Sequence, residues 1–229
     1  MLNQVPLVKT TYSGEEIVQA LIEAWQSLFG EVPSENVIGV LYAQNSQETG
    51  YSKSMYNNNI GNIKAVDRSV GTVNYMVIPG TWEILNGKRV VLAQDNPGSR
   101  FLAFATLKEG VEHHLTFLKQ SRFSKAWNSL LTGSPENFSR QLKAQKYYTA
   151  PESEYTTALV WIFNKYKKDK LYNKAMEKII LPVVAQPTIP PIEIPLEDVK
   201  PTETVHDPKL SLNWWQTLLQ FIMQLFMKK

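Results

Sequence analysis

Seven of the 13 prolines in this chain lie between positions 182 and 208, in PVVAQPTIPPIEIPLEDVKPTETVHDP. Each proline fixes its own φ and lacks the N–H that a helix or a central strand needs. The stretch is therefore expected to be extended, polyproline-like and unable to join a folded core. It divides the 229 residues into a candidate domain over 1–181, a linker over 182–208 and a terminal segment over 209–229. Charge respects the same boundaries, the three parts carrying net +4, −4 and +3. An overall charge of +3 does not mark a dedicated nucleic-acid binder, so no nucleic-acid partner is expected. The absence of cysteine removes disulfides, Cys-ligated zinc and thiol nucleophiles, and no cofactor is expected. The opening MLNQVPLVKTTYSGEE has no basic start followed by an apolar run, so no secretory signal is expected either.

Within 1–181 most segments read as helix. Ser13-Gly14-Glu15-Glu16 is a capping box ahead of Ile17, Leu21, Ala24, Trp25 and Leu28 at helical spacing, with Gly30 as the stop. A second helix follows Pro33-Ser34 and carries Val37, Ile38, Val40, Leu41 and Ala43 towards Glu48. Residues 73–94 change period: Val73, Tyr75 and Val77, then Trp82 and Ile84, then Val90, Val91 and Leu92 indicate strands, with one hairpin turning at Asn86-Gly87. Helices resume at Thr106-Leu107-Lys108-Glu109, a second capping box, at Ser134-Pro135-Glu136, and from Pro151 to about Lys168. The last of these places Tyr155, Leu159, Ile162, Phe163 and Tyr166 on one face, and a final helix ends near Leu181. The expected fold class is α+β, mainly α: a helical domain with a small β-hairpin lobe inserted after the Glu48 region.

The stretch AQNSQETGYSKS, residues 43–54, holds the chemistry. A glutamic acid can donate a proton to a poor leaving group near neutral pH only where its surroundings raise its pKa. Glu48 follows an apolar run, sits at the C-terminal, negative end of a helix dipole and precedes Gly50, whose missing side chain would let a bulky polymer come close. A solvated helix-end glutamate is the plain alternative. His113-His114 does not form a metal site on this reading, because neighbouring helical positions diverge and neither H-E-x-x-H nor a third ligand is present.

The same stretch, followed by Asn59-Ile60-Gly61-Asn62-Ile63-Lys64, resembles the glucosaminidase family of bacterial and phage cell-wall hydrolases, glycoside hydrolase family 73, and Glu48 falls on that family's catalytic acid. Thr81-Trp82-Glu83 with Asn86-Gly87-Lys88 is similar to its hairpin. Phe101-Leu102-Ala103-Phe104 with Leu107-Lys108-Glu109-Gly110-Val111, and then Leu142-Lys143-Ala144-Gln145-Lys146-Tyr147-Tyr148-Thr149-Ala150-Pro151, match later segments in the family order over about residues 13–180. Three departures stand out: Ser52 and Lys146 occupy positions where the family has glycine, and Gly61-Asn62 replaces Phe-Gly. The resemblance implies a lysozyme-like domain without cofactor or metal. Its catalytic residues would be Glu48, Glu83 and Tyr147, with Gly50, Tyr51, Asn59, Asn62 and Tyr148 at the substrate, Tyr148 standing in for Tyr147 if the register shifts by one.

Glu83 would act as base, as nucleophile or, where the substrate's N-acetyl oxygen attacks, as a polarising group. Asn59-Ile60-Gly61-Asn62 is also similar to the N-x-G-N stretch of lysozyme-like lytic transglycosylases, which leaves transglycosylation open beside hydrolysis. An inactive lysozyme-like structural or binding protein of a phage particle is the reading from another class.

Residues 210–229 would make about five helical turns. Asn213, Gln216, Thr217, Gln220 and Gln224 form a narrow polar stripe, apolar residues cover the rest, Trp214-Trp215 stand at one end and Lys228-Lys229 at the other. This suits a membrane-associating helix, with a protein partner or an oligomer contact as the alternative occupant of its apolar face. The expected partners are thus the peptidoglycan glycan strand and, through the tail, membrane or virion lipid. The expected setting is a bacteriophage lysin or virion-associated lytic protein acting at the bacterial cell wall.

Overall fold

The computed structural model describes residues 2–65, 73–85 and 88–184. Seven helices, α1 (Gly14–Phe29), α2 (Glu35–Thr49), α3 (Leu107–Leu118), α4 (Ser124–Leu131), α5 (Pro135–Ala144), α6 (Glu152–Lys168) and α7 (Leu171–Val184), are joined by five short strands among the described residues. These are β1 (Leu2–Gln4), β2 (Val73–Val77), β3 (Trp82–Leu85), β4 (Lys88–Val91) and β5 (Arg100–Leu102). The expected membrane helix at 209–229, nearly all of the linker and the Asn86-Gly87 turn lie outside the described residues. Helix α7 runs to Val184 rather than ending near Leu181. Among the described residues no helix is long and apolar enough to cross a membrane.

Helix starts follow their caps. Ser13 Oγ accepts the Glu16 amide and the Glu16 carboxylate accepts the Ser13 amide at 2.7 Å, closing the box, and Gly30 ends α1 at φ 73°. At α3 the box is displaced by one residue: Thr106 caps the Glu109 amide, but the Glu109 carboxylate takes the N–H of Ala105 at 3.0 Å. Helix α4 was not anticipated. Phe123 precedes it without a side-chain cap, and the chain enters from a single 3₁₀ turn, so no start signal was available.

Helix α2 is the centre of the domain. It is buried on every side from Val37 to Ser46 and packs against α1, α4 and α6. Close approach to α6 depends on Gly39, where a Cβ would lie 2.6–2.9 Å from the rings of Tyr166 and Phe163. Tyr166 then spans the interface to donate to the Glu35 carbonyl at 2.9 Å. This packing fixes where the C-terminal end of α2 points, and with it Glu48.

The β-region is larger than one hairpin. β1 pairs parallel with β2 (Leu2↔Val73) and β2 antiparallel with β5 (Tyr75↔Leu102), while β3 and β4 form the expected hairpin (Trp82↔Val91). Three-residue strands such as β1 and β5 are too short to show a period of two, which is why the sequence hid them. Ile63, Ala65 and Leu102 form a small second core beneath this sheet, against Val73, Tyr75, Phe104 and Phe117.

Candidate active site around Glu48

Glu48 occupies the last turn of α2, and the residues after it hold the chain in a tight exit. Gly50 takes φ 55°, Tyr51 φ 56° and Ser52 φ 65°, a left-handed run that only glycine enters without strain. The run is tied down by the Tyr51 amide on the Ser46 carbonyl at 2.9 Å, the Ser54 amide on the Thr49 carbonyl at 2.9 Å and the Ser52 amide on Thr49 Oγ1 at 3.2 Å. A Cβ on Gly50 would meet nothing nearer than Ser54 Oγ at 3.9 Å. Glycine is therefore required by backbone conformation there, whereas the sequence suggested a need for space. Tyr51 stands beside it, 37% exposed.

Part of the Glu48 surface reaches solvent, but its carboxyl is packed among protein atoms, and this desolvation raises the pKa to about 7. The Tyr155 hydroxyl opposes the shift by donating to Glu48 Oε1 at 3.0 Å. Tyr155 comes from the first turn of α6. Tyr147, in the segment after α5, is packed edge-on against Phe117 and Phe123. Burial, and next the charge of Glu48, push its phenol well above the usual tyrosine range, and the same two causes act on Tyr155. Both hydroxyls therefore stay neutral donors set around an acid that is half protonated near neutrality. The carboxamide of Gln44, buried one helical turn before Glu48, lies against the Tyr147 hydroxyl in a geometry looser than a hydrogen bond and slightly favours the phenolate.

The remaining expected residues divide. The Asn62 carboxamide donates to the Glu48 carbonyl oxygen, tying the loop after the helix to the acid's own backbone. Asn59, expected at the substrate, is fully buried, with both amide hydrogens on the carbonyls of Ile63 and Leu102 at 2.9 Å and its oxygen on the Ile63 amide at 2.9 Å. Both amide hydrogens are thus committed to the backbone, and Asn59 acts here as a structural staple. Asn57 and Asn58 act similarly, reaching Pro6 and Val8, and Tyr12 and Phe104. Tyr148, the other expected substrate contact, turns its hydroxyl towards Ser139, 3.1 Å from Oγ, and stacks its ring on Tyr155.

Glu83 belongs to a separate cluster. It lies on β3 opposite Val90, and its carboxylate pairs with the Lys64 ammonium, which also lies 5.7 Å over the Phe101 ring. The pair joins the hairpin to the three-stranded sheet. His114 is buried and neutral, its pKa lowered to about 3 by burial and by His113, while His113 packs on Phe104. The ring of His114 lies 3.1–3.2 Å from the position of a Gly61 Cβ, so the phenylalanine usual in the family would collide there. Among the described residues no three side chains of metal-ligand type come together.

Sequence reasoning missed Tyr155, Gln44 and Lys64. Gln44 was detectable in principle, since four residues before Glu48 is the same helical face. Tyr155 was read as ordinary core on α6, and nothing local distinguishes it.

A sequence model of the glucosaminidase family, described as mannosyl-glycoprotein endo-beta-N-acetylglucosaminidase, matches residues 36–168. No curated protein matches. Similar solved structures include a mutant peptidoglycan hydrolase from Sphingomonas sp. A1, at 23% identity over 71% of this chain and 99% of that one with a TM-score of 0.49. The glycoside hydrolase domain of FlgJ from Salmonella typhimurium is 16% identical over 75% of this chain and 99% of its own, with a TM-score of 0.46. The catalytic domain of the autolysin Auto from Listeria monocytogenes is 16% identical over 72% and 89%, with a TM-score of 0.47. The family match spans more than half of the chain: it belongs to the glucosaminidase family and is a glycoside hydrolase.

Proposed function

We propose that this glucosaminidase-family chain hydrolyses β-1,4 glycosidic bonds of the peptidoglycan glycan strand, with Glu48 as the general acid. The carrying observation is the Glu48 carboxyl itself, enclosed, shifted to a pKa of about 7 and aimed by the Tyr155 hydroxyl. Such an acid is substantially protonated at neutral pH and can give its proton to the leaving oxygen as the bond breaks. Tyr147, a neutral donor beside it, is placed to hydrogen-bond the sugar or the intermediate. Glu83 activates the attacking water or polarises the N-acetyl group, the hairpin closing over bound glycan. Gly50 and the exposed Tyr51 ring offer a surface for a sugar. The choice of peptidoglycan rests on the cell-wall hydrolase motifs from Ala43 to Lys64, and the family supplies the N-acetylglucosaminidase chemistry.

The transglycosylase reading drew on Asn59-Ile60-Gly61-Asn62. The second carboxylate, Glu83, gives a route to activate water, which favours hydrolysis. A digest of purified peptidoglycan with wild type and Glu48→Gln, products identified by mass, tests the proposal. New reducing ends that disappear in Glu48→Gln are expected; 1,6-anhydro muramic acid ends would overturn the hydrolytic assignment. The membrane or virion-lipid role of 209–229 is part of the proposal and rests on sequence. Deleting the segment should abolish salt-resistant flotation with lipid vesicles while sparing cleavage of soluble wall fragments.

A further inference from the structure

Among the described residues the Glu48 carboxyl receives one side-chain hydrogen bond, from Tyr155, and Tyr155 is itself held from behind. The Tyr148 ring lies flat on the Tyr155 ring, centroids 3.8 Å apart and planes 7° from parallel. Its hydroxyl donates to the Ser139 carbonyl at 3.2 Å and lies 3.1 Å from Ser139 Oγ. Ser139 is fully buried on α5, and its Oγ is 2.7 Å from Thr156 Oγ1, on the residue that follows Tyr155. The Lys143 ammonium lies 5.2 Å from the Tyr148 ring centroid while donating to the carbonyls of Thr149 and Ala150, at 3.0 and 2.6 Å. Tyr148 is therefore fixed at its hydroxyl, while its face is spent on Tyr155.

We infer that Tyr148 is a positioning residue for Glu48: stacked on Tyr155 and anchored by Ser139, it holds the Tyr155 hydroxyl on the Glu48 carboxyl. The inference rests on Glu48 as the acid of the proposed reaction but does not require Tyr148 to touch substrate. Stacking restricts how the Tyr155 ring can tilt, and hydrogen bonds to a carboxylate are steeply directional, so a small tilt weakens the bond. Because that bond favours the ionised carboxyl against the desolvation that disfavours it, the relay sets how strong an acid Glu48 is. The titratable groups around the carboxyl are Tyr155 from α6 and Tyr147 from the segment after α5, with Arg122 acting on Tyr147 and Tyr148 acting on Tyr155.

The test is a carboxyl ¹³C NMR titration of the full-length protein, with the Glu48 resonance assigned by its loss in Glu48→Gln. Tyr155→Phe, which removes the donor, should raise the Glu48 pKa by about one pH unit. Tyr148→Leu, which removes the stack, should raise it in the same direction, and the double variant should add nothing beyond Tyr155→Phe. Tyr148→Phe keeps the stack and should recover most of the wild-type value. In kinetics, Tyr148→Leu should move the basic limb of the kcat/KM pH profile upward with KM nearly unchanged. An unchanged Glu48 titration in Tyr148→Leu, or a raised KM with an unmoved profile, would overturn the inference and return Tyr148 to the substrate. The titration is read without turnover, so failure of the relay is distinguishable from failure of the acid assignment, which Glu48→Gln activity decides.

Discussion

The molecule carries two candidate catalytic glutamates in opposite surroundings. Glu48 ends a helix buried on every side, its carboxyl meets a neutral phenol, and desolvation holds its proton to about pH 7. Glu83 sits on a two-stranded hairpin whose Trp82, Val90 and Val91 are exposed, and its carboxylate, about two-fifths exposed, is paired with the Lys64 ammonium. Burial raises the pKa of the first, which is proposed as the acid; the second is held in an ion pair at the surface. Two identical side chains thus stand in surroundings that support the opposite roles proposed for them.

The largest effect should come from Glu48→Gln, which matches the side chain in size but has no proton to give: release of reducing ends should fall by about 10³-fold or more with circular dichroism unchanged. Activity within a few-fold of wild type would end the contrast at its root. The same variant should sharpen it thermodynamically. A carboxyl whose pKa rises from 4.5 unfolded to about 7 folded contributes nothing adverse below pH 4.5 and costs stability as pH climbs through 7. Glu48→Gln should therefore be more stable than wild type at pH 8, by up to about 3 kcal/mol, and equal to it near pH 4, as urea unfolding at the two pH values would show.

Glu83→Gln should reduce kcat by about 10²-fold if the carboxylate activates water. A loss of only a few-fold would point to the substrate's own N-acetyl oxygen as nucleophile. The smallest effect on this axis is expected for Lys64→Met: a half-exposed ion pair is worth about 0–1 kcal/mol, so the melting temperature should barely move. Freeing Glu83 should nevertheless alter kcat and its salt dependence. A melting temperature lowered by many degrees would mean that Lys64 supports the fold more than it governs the hairpin.

How much of this was legible depended on whether the signal was local. The caps at Ser13, Ser34, Thr106 and Ser134, the Gly30 stop and the β3–β4 hairpin were readable, because each is decided within a few residues. Helix α4 lacks a cap and β1 lacks length, and both depend on partners distant in sequence. The site split the same way. Glu48 was singled out by the resemblance of the stretch around it, all within a few residues, whereas Tyr155 lies 107 positions away and becomes a partner only when α2 and α6 pack at Gly39. Asn59 looks available as a polar residue in a loop until the backbone groups that engage it are in place. The ring and hydroxyl of Tyr148 are likewise engaged by Tyr155 and Ser139.

The three departures from the family pattern share one backbone property. Ser52, Asn62 and Lys146 each stand where the family has glycine, and they take φ values of 65°, 47° and 58°. The left-handed turns were kept while the residue that makes them inexpensive was exchanged, at a cost of roughly 1 kcal/mol each and less for asparagine. For protein engineering this is a reserve: Ser52→Gly and Lys146→Gly restore conformations that the surrounding hydrogen bonds already enforce. Each should raise the melting temperature by a degree or more without touching the acid, leaving Asn62, whose side chain holds the Glu48 carbonyl, as the one exchange that cannot be reversed for free.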